Sequence, residues 1–466
     1  MNETANWLKE RDDRTDRIVG VNENYKSAAV RIFISEDCHS SYSTQVMAIV
    51  AANILARWCN NISIVAKAEY RCLLTRYSSS LIQDIIKQVV IAANPYCELN
   101  ITDESNDGND NHFNLTIGDF PIEKIDNYVW INSNGWVAGY GLNTHSTTNG
   151  SEKKNVLGAS FAACLGVSEI FRQAIGIKSD SFSKWFSLYD FNSDSSADNL
   201  ANPTLDGEIT DLGLIHQIGC GAIGSSFDFI LGLTENIKAE LHLIDFDKIE
   251  NPNCSSSLIF TKEHVTNKIS KPVACAEILK NTQINPQVHV DDYKTFIEKG
   301  DYKKYVPDMI LCFANDKNIW STIQYKLPPI TYHATTNKSW GTNFGRHIPL
   351  KEWCIMCRFN EEIKHEFVPV CSEGVIAQKN QEETLGILPF LAPASAIIVL
   401  AELMKLSCKD SYPINNNFVE FSMKTSTGRF QQFQRKRQPC YVCADQSIDL
   451  YPQYIKETKY WHLTEC

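Results

Sequence analysis

Gln217-Ile-Gly-Cys-Gly-Ala-Ile-Gly224 is a glycine-rich turn set between an apolar run, Leu212 to Ile218, and a helical stretch, Ser225 to Leu233. Twenty-one residues past Gly224 the chain reaches Leu243-Ile-Asp-Phe-Asp247. A strand, a glycine turn, a helix, a second strand and an acidic end make a nucleotide-binding βαβ unit. Glycines at 219, 221 and 224 let backbone approach phosphate, and the helix start offers free N–H groups and a positive dipole end. The pattern alone does not say which nucleotide is bound.

A second chemistry is written in the thiols. Cys354-Ile-Met-Cys357 and Cys440-Tyr-Val-Cys443 are two CxxC knuckles with 82 residues between them. Four thiolates from two knuckles suit tetrahedral zinc, and a four-protein-ligand set leaves no open position, so the metal is expected to be structural. Between the knuckles, Cys371 lies in Phe367-Val-Pro-Val-Cys-Ser-Glu-Gly374 without a CxxC partner. Composition gives it no role: Glu373 beside it does not lower a thiol pKa. Six others, Cys59, Cys72, Cys97, Cys164, Cys275 and Cys312, sit in apolar or helical surroundings and read as small core hydrophobes.

The elements that must carry these residues are read from periodicity. At 466 residues the chain expects two or three domains. Strands are expected at Leu212–Ile218, Glu240–Ile244, Val288–Val290, Met309–Phe313 and Ile330–His333, alternating with helices at Ala222–Ile237, Pro272–Asn281, Ile319–Tyr325 and Pro393–Leu406. Alternation of this kind builds a parallel sheet covered on both faces. Phe418–Met423 and Arg429–Arg435, joined by Thr-Ser-Thr-Gly, add antiparallel strands at its edge. The earlier half has the same rhythm: strands at Ala29–Ser35, Ile62–Ala66, Asn114–Gly118 and Tyr128–Ile131, and helices at Thr44–Cys59, Leu81–Ala93 and Gly158–Ala174. Its first turn, Glu36-Asp-Cys-His-Ser-Ser41, has no glycine and two carboxylates that repel phosphate. The fold class is therefore α/β with two Rossmann-like halves: 1–178, which does not bind nucleotide, and 212–466, with a mixed, mainly parallel sheet and the four-cysteine site. The Ser/Asp/Asn-rich segment 179–211 reads as a linker with one anchored patch at Trp185–Phe191.

Composition narrows the function classes. A formal charge of −11 argues against nonspecific nucleic-acid binding. No run reaches the roughly 18 apolar residues of a membrane span, and the N-terminus lacks a signal-peptide pattern, so a cytoplasmic location is expected. Sixteen cysteines in such a chain favour thiol or metal chemistry over a disulfide framework.

Taken in order, GxGxxG, DxD, Asn, Lys, Asp, CxxC, Cys and CxxC resemble the ubiquitin-activating type (ThiF/MoeB-like) of adenylating enzyme over about Leu212 to Cys443. The resemblance implies ATP and Mg2+ as cofactors besides structural Zn2+. It implies as target the C-terminal carboxylate of a ubiquitin-like protein. Residue by residue, Gly219, Gly221 and Gly224 match the nucleotide turn. Asp245 opens the DxD, and Asp247 matches the carboxylate on the ribose hydroxyls. Asn253 matches an asparagine near the phosphates, and Lys271 the phosphate lysine, with Lys268 as the register alternative. Asp316 matches the aspartate that helps place magnesium. Trp340-Gly341 resembles the family's segment over the bound tail. Cys371 matches the thiol that receives the activated carboxylate as a thioester before transfer to a downstream conjugating enzyme.

Two departures stand out. The arginines usual three residues past the asparagine and about five past the aspartate are Ser256 and Ser321 here. Arg11-Asp-Asp-Arg14-Thr-Asp-Arg17 resembles the family's N-terminal arginine segment, which crosses into a partner nucleotide site; Arg14 and Arg17 are the candidates, against a solvated mixed-charge helix start. The first half resembles the inactive adenylation-like half of ubiquitin-activating enzymes. With only a short tail after Ala444, the chain looks like a compact, bacterial-type activating enzyme. A homodimer completing the site stays open. So do two other readings: an adenylyl- or sulfurtransferase for sulfur carriers, and a pseudoenzyme scaffold that binds a ubiquitin-like protein without turnover.

Overall fold

The computed structural model describes residues 3–20, 23–103, 112–120, 125, 127–144, 146–148, 152–205, 209–300, 306–358, 386–406, 416–431, 440, 443 and 447–465. Two helices, α1 (Glu3–Val19) and the single turn α2 (Glu23–Lys26), lead into β1 (Ala29–Ile34), α3 (Tyr42–Ala56), β2 (Asn61–Val65), α4 (Ile82–Ala93) and β3 (Glu98–Thr102). Then come β4 (His112–Ile117), β5 (Tyr128–Asn134), β6 (Val137–Leu142), α5 (Val156–Ala174), β7 (Phe182–Ser187) and β8 (Ser193–Asp194). These strands form one sheet in the order β3-β2-β1-β4-β5-β6-β7-β8, parallel from β3 to β5 and antiparallel beyond.

The second half repeats this plan. It contains β9 (Thr210–Ile218), α6 (Ala222–Leu233), β10 (Ile237–Ile244), α7 (Lys262–Thr266), α8 (Lys271–Ile278), β11 (Ile284–His289), α9 (Tyr293–Lys299) and β12 (Met309–Cys312). It continues with α10 (Lys317–Tyr325), β13 (Ile330–Thr336), β14 (Gly341–His347), α11 (Leu391–Lys405), β15 (Phe418–Ser422), β16 (Thr427–Gln431) and α12 (Gln453–Lys456). Its sheet order is β11-β10-β9-β12-β13-β14-β15-β16, with the same change from parallel to antiparallel after the fifth strand. Strand for strand the two halves are the same fold.

Within the segment 179–211, expected as a linker, Phe182–Ser187 and Ser193–Asp194 instead finish the first sheet, and Thr210 already starts β9. Trp185 and Phe186 are buried, β7 and β8 pair as the first sheet's last two strands, and the aromatic run outweighs the polar composition around it. The helix expected to run to Ile237 ends at Leu233, and Ile237 already starts β10. The tail after 446 is docked: Tyr451, Ile455 and Trp461 pack on Val306, Leu327 and Leu350, and Tyr460 donates to the Leu212 carbonyl at 3.2 Å. Among the described residues no helix is long and apolar enough to cross a membrane.

The halves share one core. Every residue of α3 and of α11 is buried, the pattern of a helix covered all round. Helix α5 packs on α3 of its own half and on α6 and α11 of the other. Phe171 of α5 meets Trp340 at 5.8 Å and Phe390 at 5.7 Å, and Phe421 meets Phe161 at 5.5 Å and Phe186 at 5.1 Å. Burying an aromatic side chain of this size contributes ~1.5–3 kcal/mol.

The two halves differ at the turn after their first strand. In the first half the start of α3 already holds an anion of its own: the Glu152 carboxylate accepts from Ser43 N at 2.6 Å, Tyr42 N at 2.9 Å and Ser41 Oγ at 2.9 Å. Asp37, expected to repel phosphate, accepts from Ser35 Oγ and from Thr44 Oγ1. Burial raises its carboxyl above the usual range. The donors at the start of this helix are thus taken by side chains of the same half. Replacing Glu152 with Ala is expected to cost about 1 kcal/mol of stability, the size of a lost N-terminal cap, measured by urea unfolding.

Candidate active site

In the second half the order β11-β10-β9-β12 reverses direction at β9, and a crevice opens beyond the carboxyl ends of β9, β10 and β12. Crevices at such reversals are where open α/β sheets take ligands. The cavity here has a volume of about 310 Å³. Its walls bring together Gly219, Gly221, Asp245, Asp247, Asn253, Lys271, Asp316 and Arg14, residues spread over more than 300 positions of chain.

Each glycine of the turn has a separate physical reason. Gly219 has φ +95°, and a Cβ there would meet Ala314 N at 2.8 Å. Around Gly221 a Cβ would meet nothing, so the backbone is open to the cavity. At Gly224 a Cβ would collide with the Gly219 carbonyl, because α6 folds back onto the turn. Gly221 is the N-cap of α6 and has no side chain to occupy the helix N–H groups, in contrast to Glu152 at α3.

Asp245 holds this turn in shape. Its two oxygens accept from Cys220 N at 2.8 Å and Asp247 N at 2.9 Å, so it binds backbone on both sides while lining the cleft. Burial raises its carboxyl above the usual range. Asp247 pairs with Lys271, Nζ to Oδ2 at 2.5 Å, and the Lys271 N–H also donates to the Asp247 carbonyl at 3.0 Å. Lys268, the other register for the lysine, is exposed with φ +54° and lies outside the cavity lining. Asn253 Oδ1 accepts from Glu250 N at 2.9 Å in a reciprocal cap. Asp316 caps α10, accepting from Asn318 N at 2.8 Å.

Helix α1 comes from the first half and lies across this crevice. Asn251 donates to Glu10 at 2.6 Å, and Ile387 N donates to the Arg14 carbonyl at 3.2 Å. Arg14 lines the cavity within the same chain. Arg17 does not: it sits half-exposed in an ion pair with Asp13 at 2.8 Å, the i,i+4 neighbour on the outer face of α1. The positions expected to hold arginine also turn away. Ser256 is buried in the loop after Asn253, and Ser321 donates to Met356 Sδ at 3.7 Å, beside the cysteine knuckle. Trp340 does not line the crevice: it is buried with φ +65° between Phe171 and Phe390, in the joint between halves.

Sequence reasoning missed part of the lining. Thr335 to Lys338 at and just past the end of β13, Asp291 to Tyr293 at the start of α9, and Phe246 all line the cavity. Phe246 is 57% exposed, and its position between the two motif aspartates was the signal available in the sequence. The other residues carry no local pattern.

Cys354, Cys357, Cys440 and Cys443 converge, with sulfur separations of 3.3, 3.6 and 3.8 Å and all four atoms within 4.8 Å of one another. A metal ~2.3 Å from each of four sulfurs sets neighbouring sulfurs about 3.8 Å apart, so this set fits a tetrahedral ion. The cluster packs with Trp320 and Ile323 of α10, bracing the helix that Asp316 caps. Cys371 lies outside the described residues. The six cysteines read as core hydrophobes are buried or half-buried, and burial raises each thiol.

Behind the turn, Asp228 of α6 is buried and accepts from Gln217 Nε2 at 2.9 Å. Burial pushes its carboxyl up to about 7. The unfolded chain releases that proton near pH 3.9, so this group's stabilisation is complete below about pH 4 and is lost as pH rises toward 7. Asp228→Asn removes this dependence. Its stability relative to the parent is expected to rise between pH 5 and pH 8 in urea titrations.

Residues 215–444 match the ThiF family model, and residues 29–188 match the BilD N-terminal domain model. The chain is 28% identical over 165 residues to y4jF of Sinorhizobium fredii (strain NBRC 101917 / NGR234), a protein described as uncharacterized. That match spans 34% of this chain and 30% of the relative's length. Among solved structures, Escherichia coli MccB with ATP is 20% identical, with a TM-score of 0.38, over 50% of this chain and 67% of that one. E. coli MccB with AMPCPP and MccA is 21% identical, also at 0.38, over 50% and 66%.

Proposed function

We propose that this chain, a ThiF-family domain at residues 215–444 behind a BilD N-terminal domain at 29–188, activates the C-terminus of a ubiquitin-like protein with ATP. In this reading the carboxylate attacks the α-phosphorus, pyrophosphate leaves, and the acyl-adenylate is captured by the Cys371 thiolate with release of AMP. The thioester then passes to a downstream conjugating protein.

The observation that carries the reading is the convergence of the glycine turn, Asp247, Lys271, Asn253, Asp316 and Arg14 on one cavity. Asp247 would bind the ribose hydroxyls. Lys271, released from Asp247, and Arg14 would take the phosphates, with the N–H groups of α6 beneath them. Arg14 also answers the two missing arginines, and because it comes from the same chain, a homodimer is not needed to supply that cation. The lining holds the carboxylates Asp245, Asp247, Asp291, Asp292 and Asp316 against the cations Arg14, Lys271 and Lys338. A triphosphate enters such a site only with a divalent cation, which supports Mg2+ and the role given to Asp316. Zinc at the four thiols would be structural, since all four positions are filled by protein.

The acceptor assignment rests on the family resemblance, and thiol burial narrows the alternatives. Among the described residues, the thiols outside the four-cysteine cluster are buried or half-buried, with burial raising their pKa values. That leaves Cys371, Cys408 and Cys466 of the sixteen. Of these Cys371 and Cys408 lie between the knuckles, and Cys371 is the one that the family resemblance matches to the acceptor.

Arg14→Ala is expected to raise the KM for ATP about 10- to 100-fold, the worth of one charge-assisted hydrogen bond, while Arg17→Ala changes it less than about twofold. ATP–pyrophosphate exchange measured with a ubiquitin-like protein gives both values. In the same assay Cys371→Ala should retain exchange and lose the reductant-sensitive adduct seen by mass spectrometry. A persulfide-linked product would favour the sulfur-carrier reading. Partner binding without ATP affinity or exchange would make the chain a scaffold and sink adenylation.

A further inference from the structure

The nucleotide crevice belongs to the second half, yet one of its loops is gripped by the first. Residues 254–260 follow Asn253 and carry Ser256, the serine in place of the expected arginine. Arg57, the C-cap of α3, is 1% exposed and reaches across into this loop. Its guanidinium donates to the carbonyls of Cys254 at 3.0 Å, Leu258 at 2.8 Å and Phe260. Its Nε donates to Asn53 Oδ1 at 3.0 Å, and Asn53 Nδ2 in turn donates to the Leu258 carbonyl at 3.0 Å.

The same loop is tied from the other side to the helix that begins at the glycine turn. Ser225 Oγ of α6 donates to Ser257 Oγ at 2.7 Å, and Ser257 Oγ accepts from the N–H groups of Ile259 at 3.1 Å and Phe260 at 3.2 Å. Ser255, Ser256 and Ser257 are all buried. The loop therefore spans α3 of one half and α6 of the other, and Asn253 at its start faces the crevice.

We infer that Arg57 is a positioning residue for the nucleotide site: by pinning three carbonyls of the 254–260 loop it fixes the peptide planes that hold Asn253 against the crevice. This rests on the adenylation reading for the identity of the ligand, but not for the grip itself. Three buried carbonyls need donors, and one planar guanidinium supplies them in a fixed fork. Burial lowers its pKa to about 10, so it stays charged at neutral pH. A lysine is a point donor on a flexible stem and cannot span the three carbonyls at once. The first half then has a second use besides delivering Arg14. It holds the wall of a site in which its own fold takes no nucleotide.

The test uses the full chain and the variants Arg57→Lys, Arg57→Ala and Asn53→Ala. Two things are read: amide exchange of the peptide covering 253–260, and the affinity for Mg-ATP by calorimetry. Arg57→Lys and Arg57→Ala are expected to lose protection at 253–260 while α5 and β1 keep theirs. They should also weaken Mg-ATP binding about tenfold and change kcat of pyrophosphate exchange much less. Asn53→Ala, which removes one bond to the Leu258 carbonyl and the acceptor for Arg57 Nε but leaves the guanidinium's carbonyl contacts, should give a smaller shift in the same direction and carries the test if Arg57→Ala does not fold. Unchanged loop protection with unchanged affinity in a folded Arg57→Lys would overturn the inference, as would loss of protection spread evenly over the chain. A parent chain that binds no Mg-ATP would defeat the adenylation reading instead, and the exchange data would still decide whether Arg57 holds the loop.

Discussion

Helix α5 joins two copies of one fold through a shared apolar core, and the crevice depends on that joint. Its Phe171 packs against Trp340 and Phe390 of the second half while Phe161 meets Phe421. Close-packed interiors transmit position from one side to the other. With α3 and α11 buried along their whole lengths, the first half cannot shift without moving α1, which carries Arg14, or Arg57, which holds the 254–260 loop. The halves are separate in topology and one body in packing.

Duplication of the fold isolates how the two copies differ at the turn after their first strand. Both copies put a helix start just past the end of their first strand, where N–H groups lack intrahelical partners. The first copy fills those donors with Glu152, and in the second, among the described residues, the N-cap Gly221 brings no side chain to them. A carboxylate and a phosphate oxygen compete for the same donors, so the choice between them follows from which groups border the turn and not from the scaffold.

The charges in the crevice are set against each other. Asp245 spends both oxygens on backbone, which shapes the glycine turn, and Lys271 is held by Asp247 until something else takes either partner. The pairing aims a buried lysine, and an incoming anion would exchange one charge-assisted contact for another.

Much of this was legible in the chain. Strand–helix alternation, the GxGxxG turn, the aspartate pair and the two CxxC knuckles are local patterns with a fixed period or spacing, and local sterics and hydrogen bonding alone make them recognisable. The glycine-free turn of the first half was equally readable, though the group that caps the helix after it, Glu152, was not, because it lies 110 positions from the Tyr42 amide it caps. The polar segment 179–211 misled for the same reason: strand pairing to β6 is decided by a neighbour distant in sequence. Sequence thus determined the fold class and the residue types able to do chemistry. Only the tertiary structure decided that Arg14 and not Arg17 lines the crevice, that Trp340 belongs to the joint and that Arg57 grips the loop, since each of these is a contact between halves, and the direction in which a helix presents its side chains is fixed by the core it packs on.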